Sequence, residues 1–123
     1  METPQIFSFE NNQFRTILVN DEPYFVGEDV ADILGYANGP KAMRDYVDEE
    51  YKLTERIVMA DQTREEIIFN ESGLYTLILK SKLPSAKKFK RWVTSEVLPI
   101  IRKAGSYMNV PRSFAEALRL AAD

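Results

Sequence analysis

Six cations fall within twelve residues: Lys80, Lys82, Lys87, Lys88, Lys90 and Arg91. Ammonium and guanidinium groups at this density can neutralise phosphates without reading a base sequence, which makes the stretch a candidate nucleic-acid contact. Two other readings stay open. A charge run is also what an ordinary solvated helix face looks like, and it could dock an acidic protein, including the acidic front half of another copy. A second group is Asn38, Lys41 and Arg44. They lie at the start and along the second of two short helices read at 28–34 and 39–47, spaced like a helix-turn-helix. In that motif the second helix enters a major groove, and the arginine fork matches the two acceptors of guanine. Asp45 and Asp48 on the same helix would repel phosphate, and the plain alternative is a helical hairpin with solvated charges.

Catalytic chemistry finds little to work with. The chain of 123 residues has no cysteine and no histidine. Disulfides, thiolates, a structural zinc site and the usual serine triad are therefore excluded. The five glycines (Gly27, Gly35, Gly39, Gly73, Gly105) are scattered and form no phosphate-cradling loop. One pattern is enzyme-like. If Glu50-Tyr51-Lys52 were strand, Glu50 and Lys52 would share a side. With Asp32 or Asp45, that could mimic a Mg²⁺-dependent nuclease. Such short matches arise often by chance, so the expectation is no catalytic residue, no metal and no cofactor.

The elements that must position these residues follow from periodicity. Residues 5–10, 14–19 and 24–26 read as strands, separated by turn signals at Asn11-Asn12 and Asn20-Asp21-Glu22-Pro23. Val30, Ile33 and Leu34 line one face of a helix, with Glu28 and Asp29 in its first turn and Gly35 at its left-handed stop. Asn38 caps the next helix and Pro40 sits near its first position. Ala42, Met43, Tyr46 and Val47 form its core stripe. Residues 52–59 and 64–69 read as two strands of a hairpin. Asn70 caps a third helix, with Leu74, Leu77 and Ile78 inward, and Leu83-Pro84-Ser85 starts a fourth.

That fourth helix is central. Phe89, Trp92, Val93, Val97, Ile100 and Ile101 recur at helical spacing, and the six cations lie opposite or just before them. Pro99 predicts a kink or an early end near Leu98, and Gly105 marks the finish. The fold class that results is α+β: a small antiparallel sheet and a β-hairpin packed against four to five short helices. One domain covers 1–107. A linker and the start of a helical connector cover 108–123, where Phe114, Ala117, Leu118 and Ala121 share a face. That face needs covering, and two readings stay open: the chain is the front part of a longer protein, or this is a terminal helix docked on the domain.

Charge is divided unevenly. The whole chain carries −3, but residues 1–79 hold six basic against sixteen acidic residues, and residues 80–103 hold eight basic against one acidic. The front part is thus −10 and the following part +7, enough to set up a local field near overall neutrality. No signal peptide or membrane span is read, and the expected compartment is the cytoplasm.

Taken together, several segments resemble the Bro-N domain of prophage antirepressors and baculovirus BRO proteins. They are Tyr24-Phe25-Val26, Asp29-Val30, Leu34-Gly35-Tyr36, Asn70-Glu71-Ser72-Gly73-Leu74-Tyr75 and, most specifically, Ser81-Lys82-Leu83-Pro84. Ala86-Lys87-Lys88-Phe89, Arg91-Trp92-Val93, Val97-Leu98-Pro99 and Gly105 continue the likeness, which covers about 5–107. Residues 110–123 resemble the connector that follows this domain. The resemblance implies an α+β DNA-binding domain of a phage or prophage regulator, followed by a variable C-terminal domain. It carries over no catalytic residue. The expected partner is double-stranded DNA, bound by a homo-oligomer, as a dimer, in a bacterial host cell. The alternative is a module that binds and inactivates a phage repressor.

Overall fold

The computed structural model describes residues 4–59 and 62–102. The tip of the hairpin read at 52–69, Gly105 and the connector read at 108–123 lie outside them. Strands β1 (Gln5–Phe9), β2 (Asn12–Val19), β3 (Glu22–Val26), β4 (Lys52–Met59) and β5 (Gln62–Phe69) form one antiparallel sheet in the order β1-β2-β3-β5-β4. The first two hairpins close with two residues each, at pairs Phe9↔Asn12 and Val19↔Glu22. All four loop residues have positive φ: Glu10 48°, Asn11 70°, Asn20 53° and Asp21 67°. That is the turn whose twist matches the flanking strands. The first turn falls at Glu10-Asn11, one residue earlier than its Asn-Asn signal predicts, so Asn12 already pairs. The β4–β5 hairpin joins the rest through only two pairs, Phe25↔Phe69 and Val26↔Ile68.

Four α-helices follow: α1 (Gly27–Ile33), α2 (Gly39–Tyr46), α3 (Glu71–Lys80) and α4 (Ser85–Trp92). Alternation along the strands gives the sheet two apolar faces. Phe14, Phe25 and Phe69 join Val30, Met43, Leu74, Leu77, Phe89 and Val93 in the main core with the helices. Ile17, Tyr24, Val26, Ile57 and Ile68 form a smaller cluster. Trp92 is only partly buried. Its ring centroid lies 5.1 Å from that of Phe9 and 5.6 Å from that of Phe14, so it caps an aromatic cluster rather than filling its centre. Tyr46, placed in the core by periodicity, is 43% exposed because the helix ends there.

The end of the fourth helix departs from its pattern. After Trp92 the backbone forms a π-helical turn, Val93–Val97, and helix then continues over 98–102. Leu98 N–H donates to the Val93 carbonyl. Pro99 has no N–H, and its ring would crowd the carbonyl four residues back in a regular α-helix. The wider turn accommodates it, and the helix neither ends nor breaks. An extra residue in the turn also rotates everything after it by about 100°. The predicted stripe therefore shifts: Leu98 and Ile101 are buried, and Ile100 is 48% exposed.

Candidate nucleic-acid interface

Two contacts set α1 and α2 against the sheet. Gly27 lies so close to β5 and α2 that an added Cβ would collide with the Met43 sulfur and press the Ile67 carbonyl. Next to it, the Asp29 carboxylate accepts from the Arg15 amide at 2.9 Å, from Nε at 2.8 Å and from Nη2 at 2.8 Å. The β2–β3 ladder stops at Thr16↔Phe25, and this carboxylate takes the next β2 amide in place of a strand. Gly35, at φ +77°, ends α1. The loop after it is tied to the end of α3: Tyr36 Oη donates to the Leu77 carbonyl at 2.6 Å, and Ser81 Oγ to that of Leu34 at 2.9 Å.

On α2, the Asn38 side chain caps the helix by accepting from Lys41 N at 3.1 Å. That oxygen is therefore engaged. Lys41 Nζ donates to Asp45 at 2.6 Å, an exposed pair that raises the lysine pKa and lowers that of the aspartate. Arg44 is exposed and makes no ion pair among the described residues. Asp48, placed on this helix by the sequence, lies just past its end and is also exposed, so Lys41 and Arg44 are matched by Asp45 and Asp48 with no net charge. Lys80 Nζ lies 5.4 Å from the centre of the Tyr46 ring, so the end of α2 abuts the end of α3.

The α4 surface is different. Ala86, Phe89 and Val93 face the core. Lys87 and Arg91, one turn apart, point the other way. Lys88 lies on one flank, 2.8 Å from Glu10 in the β1–β2 turn. Lys90 lies on the other, 5.8 Å from the centre of the Tyr75 ring. Among the described residues, Lys80, Lys82, Lys87, Lys90 and Arg91 have no carboxylate partner. One of the six cations is thus neutralised and five remain. The predicted sites form two surfaces of unlike charge.

The sequence reading misses a buried ionic cluster. Arg15, Asp29 and Glu66 are all buried, with Arg15 Nη1 at 3.6 Å and Arg64 Nη2 at 3.7 Å from Glu66 Oε2. Burial raises the Glu66 pKa against the pull of Arg15. Arg15 alternates like an outward strand residue and Asp29 looks like a first-turn acid, so neither advertises burial. The nuclease-like pattern dissolves. Glu49–Tyr51 is a 3₁₀ turn, not strand, and Lys52 Nζ donates to the Met43 carbonyl at 3.2 Å. Among the described residues no group of three or more His, Cys, Asp or Glu could hold a metal. No helix there is long and apolar enough to cross a membrane.

The family model of the BRO family N-terminal domain matches residues 13–99. An uncharacterised protein of Haemophilus influenzae is 41% identical over 111 residues, covering 89% of this chain and 55% of that protein. A Bro-N domain-containing protein of Invertebrate iridescent virus 6 is 36% identical over 119 residues, covering 82% of this chain and 28% of that protein. One from Autographa californica nuclear polyhedrosis virus is 32% identical over 120 residues, covering 82% and 37%. The chain thus spans about half the length of the first and little more than a third, or less, of the viral two. No solved structure matches it.

Proposed function

The chain belongs to the BRO family, whose N-terminal domain it carries, and from that premise we propose that it is the DNA-binding module of a viral or prophage antirepressor-like regulator. The observation that carries the reading is the outer face of α4, where Lys87 and Arg91 lie one turn apart without a carboxylate partner among the described residues. Lys90 flanks this face, and Lys80 at the end of α3 and Lys82 in the turn before α4 add to the positive charge of the stretch. These groups hold phosphates. Lys88 joins them when DNA draws it from Glu10. Arg44, which makes no ion pair among the described residues, approaches the bases, with Lys41 and Asn38 beside it. Occupancy of DNA is the whole mechanism, with no catalytic step, and the regulator works in the cytoplasm of a host cell.

A salt titration of affinity for duplex DNA tests this. The slope of log affinity against log salt counts phosphates at about 0.9 each. Lys87→Ala with Arg91→Ala should flatten it by about two units on every sequence. An unchanged slope overturns the phosphate assignment. One observation favours a protein partner instead: Leu79 on α3 is 80% exposed, one turn after Tyr75, and an apolar side chain adds nothing to a phosphate contact. Capture of a phage repressor without any duplex binding at low salt would establish that second reading.

A further inference from the structure

A cleft of about 410 Å³ lies between α1, α2 and β5 and plays no part in the reading above. Ala31, Met43 and Ile67 give it an apolar floor, and four carboxylates, Glu28, Asp32, Glu65 and Glu66, stand around it. Glu66 is 6% exposed, and its Oε2 accepts no hydrogen bond among the described residues. The two arginine nitrogens at 3.6 and 3.7 Å attract it from beyond hydrogen-bond reach. Glu66 thus lines the cleft with this oxygen closed to solvent, and Asp32 and Glu65 are the cleft carboxylates that form no ion pair among the described residues. The chemistry that fits is an alkyl chain ending in a cation. Its methylenes would lie on the apolar floor, and its N–H groups would donate to the carboxylates. Lysine and arginine side chains have this form.

The chain carries matching cations elsewhere. Among the described residues Lys87 and Arg91 have no carboxylate partner, so they are not paired with the cleft of their own chain. We propose that the cleft takes Lys87 and Arg91 of α4 from a second copy of this chain. The −10 front part and the +7 part that follows give the charge complementarity for such a contact. Because the two patches differ, the contact is head-to-tail, and each added copy leaves one cleft and one basic helix open. The inference does not rest on DNA binding, but DNA and a neighbouring cleft compete for the same two cations.

Analytical ultracentrifugation at low salt tests it. The mean mass should rise steadily with concentration and fall as salt is added. Asp32→Lys with Glu65→Lys, or Lys87→Glu with Arg91→Glu, should each weaken association about tenfold or more. These positions are exposed, and circular dichroism checks that both variants fold. Mixing the two variants should restore association, because each then meets its opposite charge. A mass that plateaus at a dimer, no association, or no rescue on mixing overturns the proposal. Assemblies that pass all these tests while duplex DNA neither binds nor disperses them uphold this contact and overturn only the DNA reading.

Discussion

The carboxylate of Asp29 receives three donors from Arg15 at 2.8–2.9 Å, and both side chains are about 5% exposed or less. Such a pair adds little over an apolar pair, but breaking it strands a buried charge. Asp29→Ala should therefore destabilise the domain by about 3–5 kcal/mol in denaturant unfolding. A loss below about 1 kcal/mol would show that α1 is held by packing alone. Glu66 makes a different prediction. Its folded pKa is raised above the ordinary 4.5, so the folded state binds its proton more tightly than the unfolded chain. Stability from this group is full below the ordinary value and is lost as pH rises through the raised one. The difference in unfolding midpoint between Glu66→Gln and the parent should accordingly move in favour of the variant as pH rises above 4.5. A constant difference would contradict the shift. Periodicity sorts residues by side. It cannot tell a buried paired arginine from an exposed one, so this cluster was illegible in the sequence.

At the scale of elements, caps and turns were the readable part. Asn38 and Asn70 cap α2 and α3 as their positions predict, and Gly35 ends α1 in the left-handed region. Side chains of fixed local chemistry decide those boundaries, so the sequence shows them directly. The fourth helix shows where local reading stops. Pro99 signals a conflict with α geometry but not its resolution, since a kink, an end and a widened turn all relieve it. The choice follows from packing: the π turn carries Leu98 and Ile101 into the main core. Leu98→Ala should cost about 2–5 kcal/mol. Ile100→Ala, on the exposed side, should cost no more than about 0.5 kcal/mol. Thermal or denaturant unfolding of the two variants decides between the two geometries. In an uninterrupted α-helix the order would reverse.

At the scale of the molecule, the α+β class was legible, but the joining of the β4–β5 hairpin to β3 was not. It rests on two ladder pairs with no turn chemistry to announce them. Charge distribution was legible because it needs only chain order. It also sets an expectation that no single contact captures. Acids dominate the front part, so the domain presents DNA with an attractive α4 surface on a repulsive body. Repulsion from distant acids acts through solvent and is screened over about 30 Å at 0.01 M salt but about 10 Å at 0.1 M. In the proposed complex, contact between Lys87 or Arg91 and a phosphate is short-ranged and would persist. Glu22→Gln with Glu50→Gln removes two exposed acids that form no ion pair among the described residues. This pair of changes should raise duplex affinity at about 0.01 M salt and leave it unchanged by about 0.2 M. It adds no phosphate contact. The gain should therefore shrink steadily as salt is added and be gone at the upper end, where the Lys87→Ala and Arg91→Ala loss is still measurable. A gain that survives at about 0.2 M would mean that one of these acids borders the DNA itself, and the bound face would have to be redrawn to include the β3 or β4 end of the sheet.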